Sequence, residues 1–193
     1  MEVQYTNSWG DMTAEGEVAS QLIADGCVLI SQHADTTGAP TACEAAGVPC
    51  VGYNVDMRSV APDSALTSAA SNWGAYYCYI GECMVNGTPI DTDWSKGFSD
   101  GAVYITDLND ATVAEGTAEK VAEVEDALSN GSLHVFDTTT FTVNGSSIED
   151  LIAEGGDYAS YATYVSDGYF HESEVISAPA FDLRIDGITE KTN

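Results

Sequence analysis

The first half of the chain alternates short apolar runs with longer segments in which apolar residues recur at helical spacing. The apolar runs predict strands, and the spaced segments predict helices that end at glycine. The expected strands are residues 3–6, 27–31, 50–53 and, more weakly, 65–68, and the expected helices are 13–25, 37–46 and 72–85. This alternation predicts an α/β fold, a doubly wound parallel sheet with right-handed crossovers.

The second half is less regular. Strand material is expected within 94–105, and the clearest helix lies at 114–129, where Val121, Val124 and Leu128 share one face. A β-hairpin or meander is expected at 133–143, a short helix at 148–153 and extended structure at 161–188. We therefore expect a single α/β lobe over 1–193, with regular βα units in 1–132 and a hairpin and extended tail in 133–193.

Charge narrows the function classes. The chain has 193 residues, with 31 Asp and Glu against 5 Lys and Arg, and a formal net charge of −26. The scattered cations exclude a conventional nucleic-acid binder and an anionic membrane surface, because both need clustered Lys and Arg. A hydrophobic fraction of 44% is too high for a disordered acidic tail. The sequence therefore predicts a folded core under an acidic surface.

No apolar run approaches the ~20 residues that span a bilayer. The chain enters its first strand at once, without a signal peptide, so we expect either a cytosolic protein or a piece cut from a longer one, and the abrupt start favours the second. Five cysteines cannot all pair within the chain, although the spacings of Cys43 to Cys50 and of Cys78 to Cys83 allow disulfides. Cys27 and Cys50, at strand starts, are expected to be small buried apolar residues.

Four loops follow the predicted strands. In an open α/β sheet, ligands bind outside the carboxyl ends of the strands, so these loops hold the candidate site. They offer hydrogen-bonding side chains and two tryptophans, which suits a planar heterocycle that carries hydroxyl groups. The loops are NSWGD at 7–11, QHADT at 32–36, NVDM at 54–57 and SNWG at 71–74, and the candidate ligand-binding residues are Trp9, His33, Asp35, Asp56 and Trp73.

Each candidate also has a structural alternative. Asp11 and Asp35 precede helices, where an N-cap is the commoner role of Asp. Asp56 is harder to explain as a cap, and His33 is either a loop hydrogen-bonder or a site residue. Trp73, taken without family context, is more often core packing.

Catalytic and metal-binding motifs are weak. The chain has no G-x-S-x-G, P-loop or G-x-G-x-x-G motif. His33-x-Asp35 and His171-Glu172-x-Glu174 have metal-compatible side chains, but neither has helical i, i+4 spacing, so acidic surface is the better account. We therefore predict no catalytic residue, no metal and no cofactor.

The same loops carry a family resemblance. NSWGD, VLISQHADTTGAPTACEAAGVPCVGYNVDM and APDSALTSAASNWGAYY, with GFSDGAV, NGSLHVF and SAPAFDLRIDGI further on, resemble the basic membrane protein (BMP) family. These proteins are substrate-binding lipoproteins of ABC importers related to purine-nucleoside receptors. The resemblance implies a type I periplasmic-binding-protein fold, in which two α/β lobes close on a ligand.

The resemblance also implies that this chain is the second lobe and the C-terminal tail. The parent would be extracytoplasmic and lipid-anchored in the cell membrane, with an ABC transporter permease as its partner. Asp56 matches the family's ribose- or base-gripping aspartate, and Asp35 and Trp73 fall in loops that face the cleft. The chain departs from many nucleoside-binding members at QHADT, where they have a Gly-rich loop, and at Asn72-Trp73, where they have Lys.

The resulting expectation is non-covalent capture of a purine nucleoside or nucleobase-like small molecule between two lobes. The alternative from another class is a small-molecule hydrolase on a flavodoxin-like sheet, with Asp56 or His33 as general base. A third possibility is a structural or regulatory ligand-sensing lobe that has no transporter partner.

Overall fold

The computed structural model describes residues 1–171, 175 and 182–191. Short strands and longer helices alternate within them, joined by turns of 3-10 helix at Met57–Ser59, Phe98–Asp100, Thr138–Thr140 and Gly156–Thr163. The strands are β1 Glu2–Gln4, β2 Ile30–Ser31, β3 Cys50–Tyr53, β4 Ala65–Ser71, β5 Val103–Ile105, β6 Val165–Ser166, β7 Tyr169–Phe170 and β8 Thr189–Lys191. The helices are α1 Met12–Ala24, α2 Gly38–Ala46, α3 Trp73–Asn86, α4 Thr117–Ser129 and α5 Ile148–Glu154. None of the helices in this described part is long and apolar enough to cross a membrane.

The main sheet has the order β2-β3-β4-β5. β2, β3 and β4 run parallel, and β5 runs antiparallel to β4. The start of β5 is fixed beside the end of β4, because the backbone N–H of Asn72 donates to the carbonyl of Ala102 at 2.8 Å. The predicted α/β fold is confirmed, with one antiparallel edge strand added to a parallel sheet.

The sequence suggests that the first strand opens this sheet, but in the structure it does not. β1 pairs in parallel with β8 in a separate two-stranded sheet, in which Val3 lies opposite Glu190. Lys191 contacts the carboxylate of Glu2 across this pair, and it also contacts the carboxylate of Asp25 at the end of α1. A partner from the end of the chain therefore takes the place of β2.

The second predicted strand is shorter than expected. Of residues 27–31 only Ile30 and Ser31 form β2, because Val28 and Leu29 are 80% and 50% exposed. The continuous apolar run is therefore only partly a buried strand.

The predicted helix ends agree closely with the structure. Gly47 follows the last residue of α2 and Gly87 follows the last residue of α3, both in the left-handed conformation, with φ of 66° and 67°. Asn72 caps α3, since its side chain accepts from the backbone N–H of Gly74 at 3.1 Å. α4 begins at Thr117, three residues after the predicted start.

Two hydrophobic clusters stabilise the fold. The first joins α1, α2, the 3-10 helix at Met57 and the parallel strands, and consists of Ala19, Ile30, Ala39, Cys43, Cys50, Met57, Ala61 and Ala65. The second is built from the later part of the chain, around Val143, Ile148, Leu151 and Leu183.

The later part of the chain differs from its predicted hairpin and extended tail. A hairpin at 133–143 is wrong: Asp137 caps a 3-10 helix, and its carboxylate accepts from the backbone N–H of Thr139 at 2.9 Å. Residues 156–163 are also 3-10 helix, because Tyr158 and Tyr161 pack on the second cluster. The short helix predicted at 148–153 is confirmed as α5. Within the tail expected at 161–188, β6 and β7 are extended as predicted, and residues 172–174 and 176–181 lie outside the described residues.

Candidate functional site

Three loops at the carboxyl ends of the first three strands bring aromatic side chains together. The ring of His33 lies between two others, with its centroid 5.9 Å from Trp9 and 4.5 Å from Tyr53. The His33 and Tyr53 rings are inclined by only 31°. Trp9 is 69% exposed, His33 is exposed and Tyr53 is half-buried, so this row of rings lies at the surface rather than in the core.

Asp35 lies at the same place. Its carboxylate accepts from the side-chain amide of Asn54 at 3.4 Å, and its backbone N–H donates to the carbonyl of Trp9 at 2.8 Å. These bonds tie together the loops that follow β1, β2 and β3. We call Trp9, His33, Asp35, Tyr53 and Asn54 the cleft cluster.

The two aspartates suggested as caps have different roles. Asp11 caps α1, with its carboxylate accepting from the backbone N–H of Ala14 at 3.0 Å. Asp35 is not a cap, because α2 begins after Thr37 and no side-chain hydrogen bond caps it. An exposed Asp that caps no helix keeps acceptor capacity for a ligand.

Half-buried and buried side chains beside the cleft cluster hold the second loop, which follows β2. Thr36 donates its hydroxyl to the carboxylate of Glu15 in α1 at 2.6 Å and accepts from the backbone N–H of Gly38 at 3.1 Å. The amide of Gln32 donates to the carbonyls of Ala34 and Thr36 at 2.9 and 3.1 Å. The loop that carries His33 and Asp35 is therefore fixed before any ligand arrives.

Asp56 is engaged by Arg58 rather than by the cleft cluster. Its carboxylate caps the 3-10 helix by accepting from the backbone N–H of Arg58 at 2.9 Å, and it also accepts from the guanidinium at 2.6 Å. Asp56, which its sequence makes harder to explain as a cap, does cap a helix here, because a 3-10 helix begins at Met57.

These contacts also bear on catalysis. The Arg58 side chain holds the pKa of the Asp56 carboxyl below its ordinary value. A general base works best with a pKa near the working pH, so Asp56 is poorly suited to that role. The hydrolase alternative gains no support from this geometry.

Trp73 lies apart from the cleft cluster. It is the first residue of α3 and is 62% exposed, so core packing does not explain it. Among the described residues, no ring contact or hydrogen bond joins its side chain to Trp9 or His33. Trp94 instead packs against the α3 tyrosines, with its ring centroid 5.0 Å from Tyr76.

Sequence reasoning missed Tyr53 as a member of the site. The signal was present, because Tyr53 is the last residue of β3 and so lies at the same sheet edge as the loops. As a strand residue, Tyr53 falls just outside the predicted loop at 54–57. Asn54 follows directly, with a positive φ of 69° that turns the chain at this edge.

Other surface features lie away from these loops. A surface groove of about 610 Å³ runs along α1 and α2 and is lined by residues such as Met12, Ser20 and Thr41. In the described part of the chain, no group of three His, Cys, Asp or Glu side chains could hold a metal ion. Glu172 and Glu174 of the acidic motif at His171 fall outside that part.

A family model matches residues 1–133, and its description is an ABC transporter substrate-binding protein that is PnrA-like. The chain belongs to this family. The matched range contains the cleft cluster, Asp56 and Trp73. The resemblance noted in the tail, at 177–188, lies beyond the match and stays a prediction.

Two curated proteins are similar to this family member. One is a purine-binding protein from Brucella abortus, 29% identical over 136 residues, which cover 70% of this chain. The other is a provisionally named ABC transporter glucose-binding protein, TsgA13, from Haloferax volcanii, 30% identical over 154 residues, which cover 79% of this chain. The match spans only 38% of the length of each relative.

Solved structures agree on the fold of the family. An ABC transporter solute-binding protein from Conexibacter woesei has a TM-score of 0.53 at 21% identity, covering 68% of this chain and 44% of that one. A transcriptional activator of the comK gene from Bacillus halodurans has a TM-score of 0.61 at 16% identity, covering 68% of this chain and 47% of that one. The fold is therefore that of solute-binding proteins, and at these identities the likeness concerns the fold alone.

Proposed function

We propose that this chain is one lobe of the substrate-binding component of an ABC importer. It captures a purine nucleoside or nucleobase-like small molecule between itself and a preceding lobe, without covalent chemistry. The closed protein then docks on a transporter permease, and the parent is an extracytoplasmic lipoprotein. Membership of the ABC transporter substrate-binding family supports this role.

The cleft cluster is the observation that carries the proposal. Trp9 and Tyr53 flank His33 in a row at the surface, which offers flat surfaces to a planar ring. The Asp35 carboxylate beside them accepts from ring N–H or ribose O–H groups. A ligand that lacks such a donor would leave this carboxylate unpaired, which favours selectivity.

The ligand class follows from the same arrangement. A row of aromatic rings with one carboxylate fits a heterocycle, and one relative is named as purine-binding. The other relative is named as glucose-binding, so a sugar is the competitor to test. Asp56 and Trp73 enter the proposal through the family resemblance, as a second acceptor and a second apolar wall. Both are accessible for this, since the Asp56 side chain is 40% exposed and Trp73 is 62% exposed.

The test uses the two-lobed parent protein. Calorimetry and tryptophan fluorescence would measure binding of adenine, adenosine, guanosine, inosine and glucose. Trp9→Ala and Asp35→Asn should each weaken binding of the preferred purine by about 5- to 150-fold, as expected for a loss of about 1–3 kcal/mol. Trp94→Ala is the matched control, because Trp94 packs against Tyr76 and Tyr79 rather than in the cleft cluster.

The possible results distinguish an error in the assigned site from an error in the ligand class. Binding of glucose with no purine bound would discard the ligand class and keep the receptor role. An affinity unchanged in both Trp9→Ala and Asp35→Asn would remove the cleft cluster as the site. If the protein converted any of these ligands to a product, the proposed receptor role would be wrong and the protein would be an enzyme.

A further inference from the structure

Two cysteines meet at the base of the first hydrophobic cluster. Cys43 lies in the last turn of α2 and Cys50 is the first residue of β3, with exposures of 0% and 2%. Ser64 joins their backbones, since its hydroxyl donates to the carbonyl of Cys43 at 3.4 Å and its carbonyl accepts from the N–H of Cys50 at 2.8 Å. The turn at Gly47 therefore returns the chain so that both side chains enter the same space.

Both side chains belong to the first hydrophobic cluster. A side-chain hydrogen bond between them, with burial, raises the pKa of Cys43 well above its ordinary value, and the same bond lowers the pKa of Cys50. Cys50 is therefore the better thiolate of the two, and Cys43 lies beside it. By contrast, the sulfur of Cys27 contacts the carboxylate of Glu2 at 3.7 Å, and Cys78 is exposed.

We propose that Cys43 and Cys50 form an intrachain disulfide when the chain folds in the presence of a small-molecule disulfide oxidant. The thiolate of one cysteine attacks the oxidant and releases one thiol, and the second cysteine then attacks this mixed disulfide and releases the other thiol. One S–S bond forms in the protein, one breaks in the oxidant, and the two protein protons leave with the released thiols.

The position of the pair separates its effect from ligand binding. Cys50 is at the amino end of β3, whereas the cleft cluster follows the carboxyl ends of the strands. The disulfide closes a loop of eight residues, for which chain-entropy arguments give a rise in Tm of about 5–10 °C. Ligand affinity should be the same in the oxidised and reduced proteins.

The test maps the bond in the full chain. The protein is refolded with oxidised and reduced glutathione, alkylated under denaturing conditions and digested with a protease that cleaves after Asp and Glu. Glu44 lies between Cys43 and Cys50, and Asp35 and Asp56 separate the pair from the neighbouring cysteines. The expected product is one cross-linked pair of peptides carrying Cys43 and Cys50, released by reduction, with the other three cysteines alkylated.

Variants supply the control. Cys50→Ala should abolish the cross-link and the rise in Tm on oxidation, whereas Cys78→Ala should keep both. Five alkylated cysteines after oxidative refolding would overturn the proposal, as would a cross-link that involves Cys27, Cys78 or Cys83. The peptide map of the unaltered chain decides this even where a variant fails to fold.

Discussion

At Gly38 the backbone of α2 lies directly against the backbone of α1. A methyl group added at Gly38 would lie 2.3 Å from the carbonyl oxygen of Met12, 3.0 Å from the Cβ of Glu15 and 3.1 Å from the N of Gly16. Two of these atoms belong to the α1 backbone, so they cannot move aside as a flexible side chain would. Gly38→Ala therefore has to push α1 away from α2.

The magnitude follows from overpacking. Added methyl groups in well-packed sites cost about 1–3 kcal/mol. The change also relieves the helix penalty of glycine, which is about 0.5–1 kcal/mol in a helix interior and less at Gly38, the first residue of α2. We expect the free energy of unfolding to fall by about 1–2 kcal/mol.

Urea unfolding at fixed salt, followed by circular dichroism, measures this change, and the m value should stay constant. Gly81→Ala is the matched control, because Gly81 lies inside α3 and no atom lies within 4 Å of its added Cβ. It should stabilise the protein by about 0.5–1 kcal/mol. A Gly38→Ala protein as stable as Gly81→Ala would refute the close approach of α1 and α2.

Three further predictions concern the core, acid stability and charge. Met57 is 1% exposed, so Met57→Ala should lower the free energy of unfolding by about 2–5 kcal/mol in the same urea assay. A loss below about 0.5 kcal/mol, less than the removal of one buried methyl group costs, would contradict its burial. The Thr142 hydroxyl, with the N–H groups of Gly145 and Asn144, lowers the pKa of Asp186 below its ordinary 3.8; this stabilisation is complete above pH 3.8 and is lost as the pH falls through the lower folded pKa. The stability difference between the original chain and Asp186→Asn should therefore shrink below that pH, and a difference that stays constant from neutral pH into strong acid would exclude this origin. With a net charge of −26, the Tm should rise between 0.1 and 1 M NaCl as the Debye length falls from about 10 to 3 Å, and a fall would show that self-repulsion does not limit stability.

The sequence predicts the local elements well where a local cause ends them. The left-handed glycines at 47 and 87 and the Asn72 cap act within a few residues, so the ends of α2 and α3 follow from the sequence. The placement of β1 does not follow, because its partner lies at Thr189–Lys191. Apolar runs specify that a strand forms and leave open which strand it joins.

The candidate site, like the fold, can be predicted only in part from the sequence. Their positions after predicted strands select Trp9, His33 and Asp35 as candidates, and the structure places them in contact. It does so although β1, which precedes Trp9, pairs with β8 outside the main sheet. The positions of the strands alone do not predict that the Asp56 carboxylate turns toward Arg58. That contact depends on the 3-10 helix that begins at Met57. The membership of Tyr53 depends on the direction of a side chain at the strand end.

The pairing of β1 with β8 has a consequence for how the chain folds as it is synthesised. Gln4 and Lys191 lie opposite each other, so almost the whole sequence separates the two halves of this small sheet. A ribosome that adds about 5–20 residues per second needs roughly 10–40 s to make the intervening chain. Contacts between residues so distant in sequence also form slowly. The parallel strands β2 to β4, whose sequence is complete by Ser71, have time to assemble while the first strand still waits for its partner.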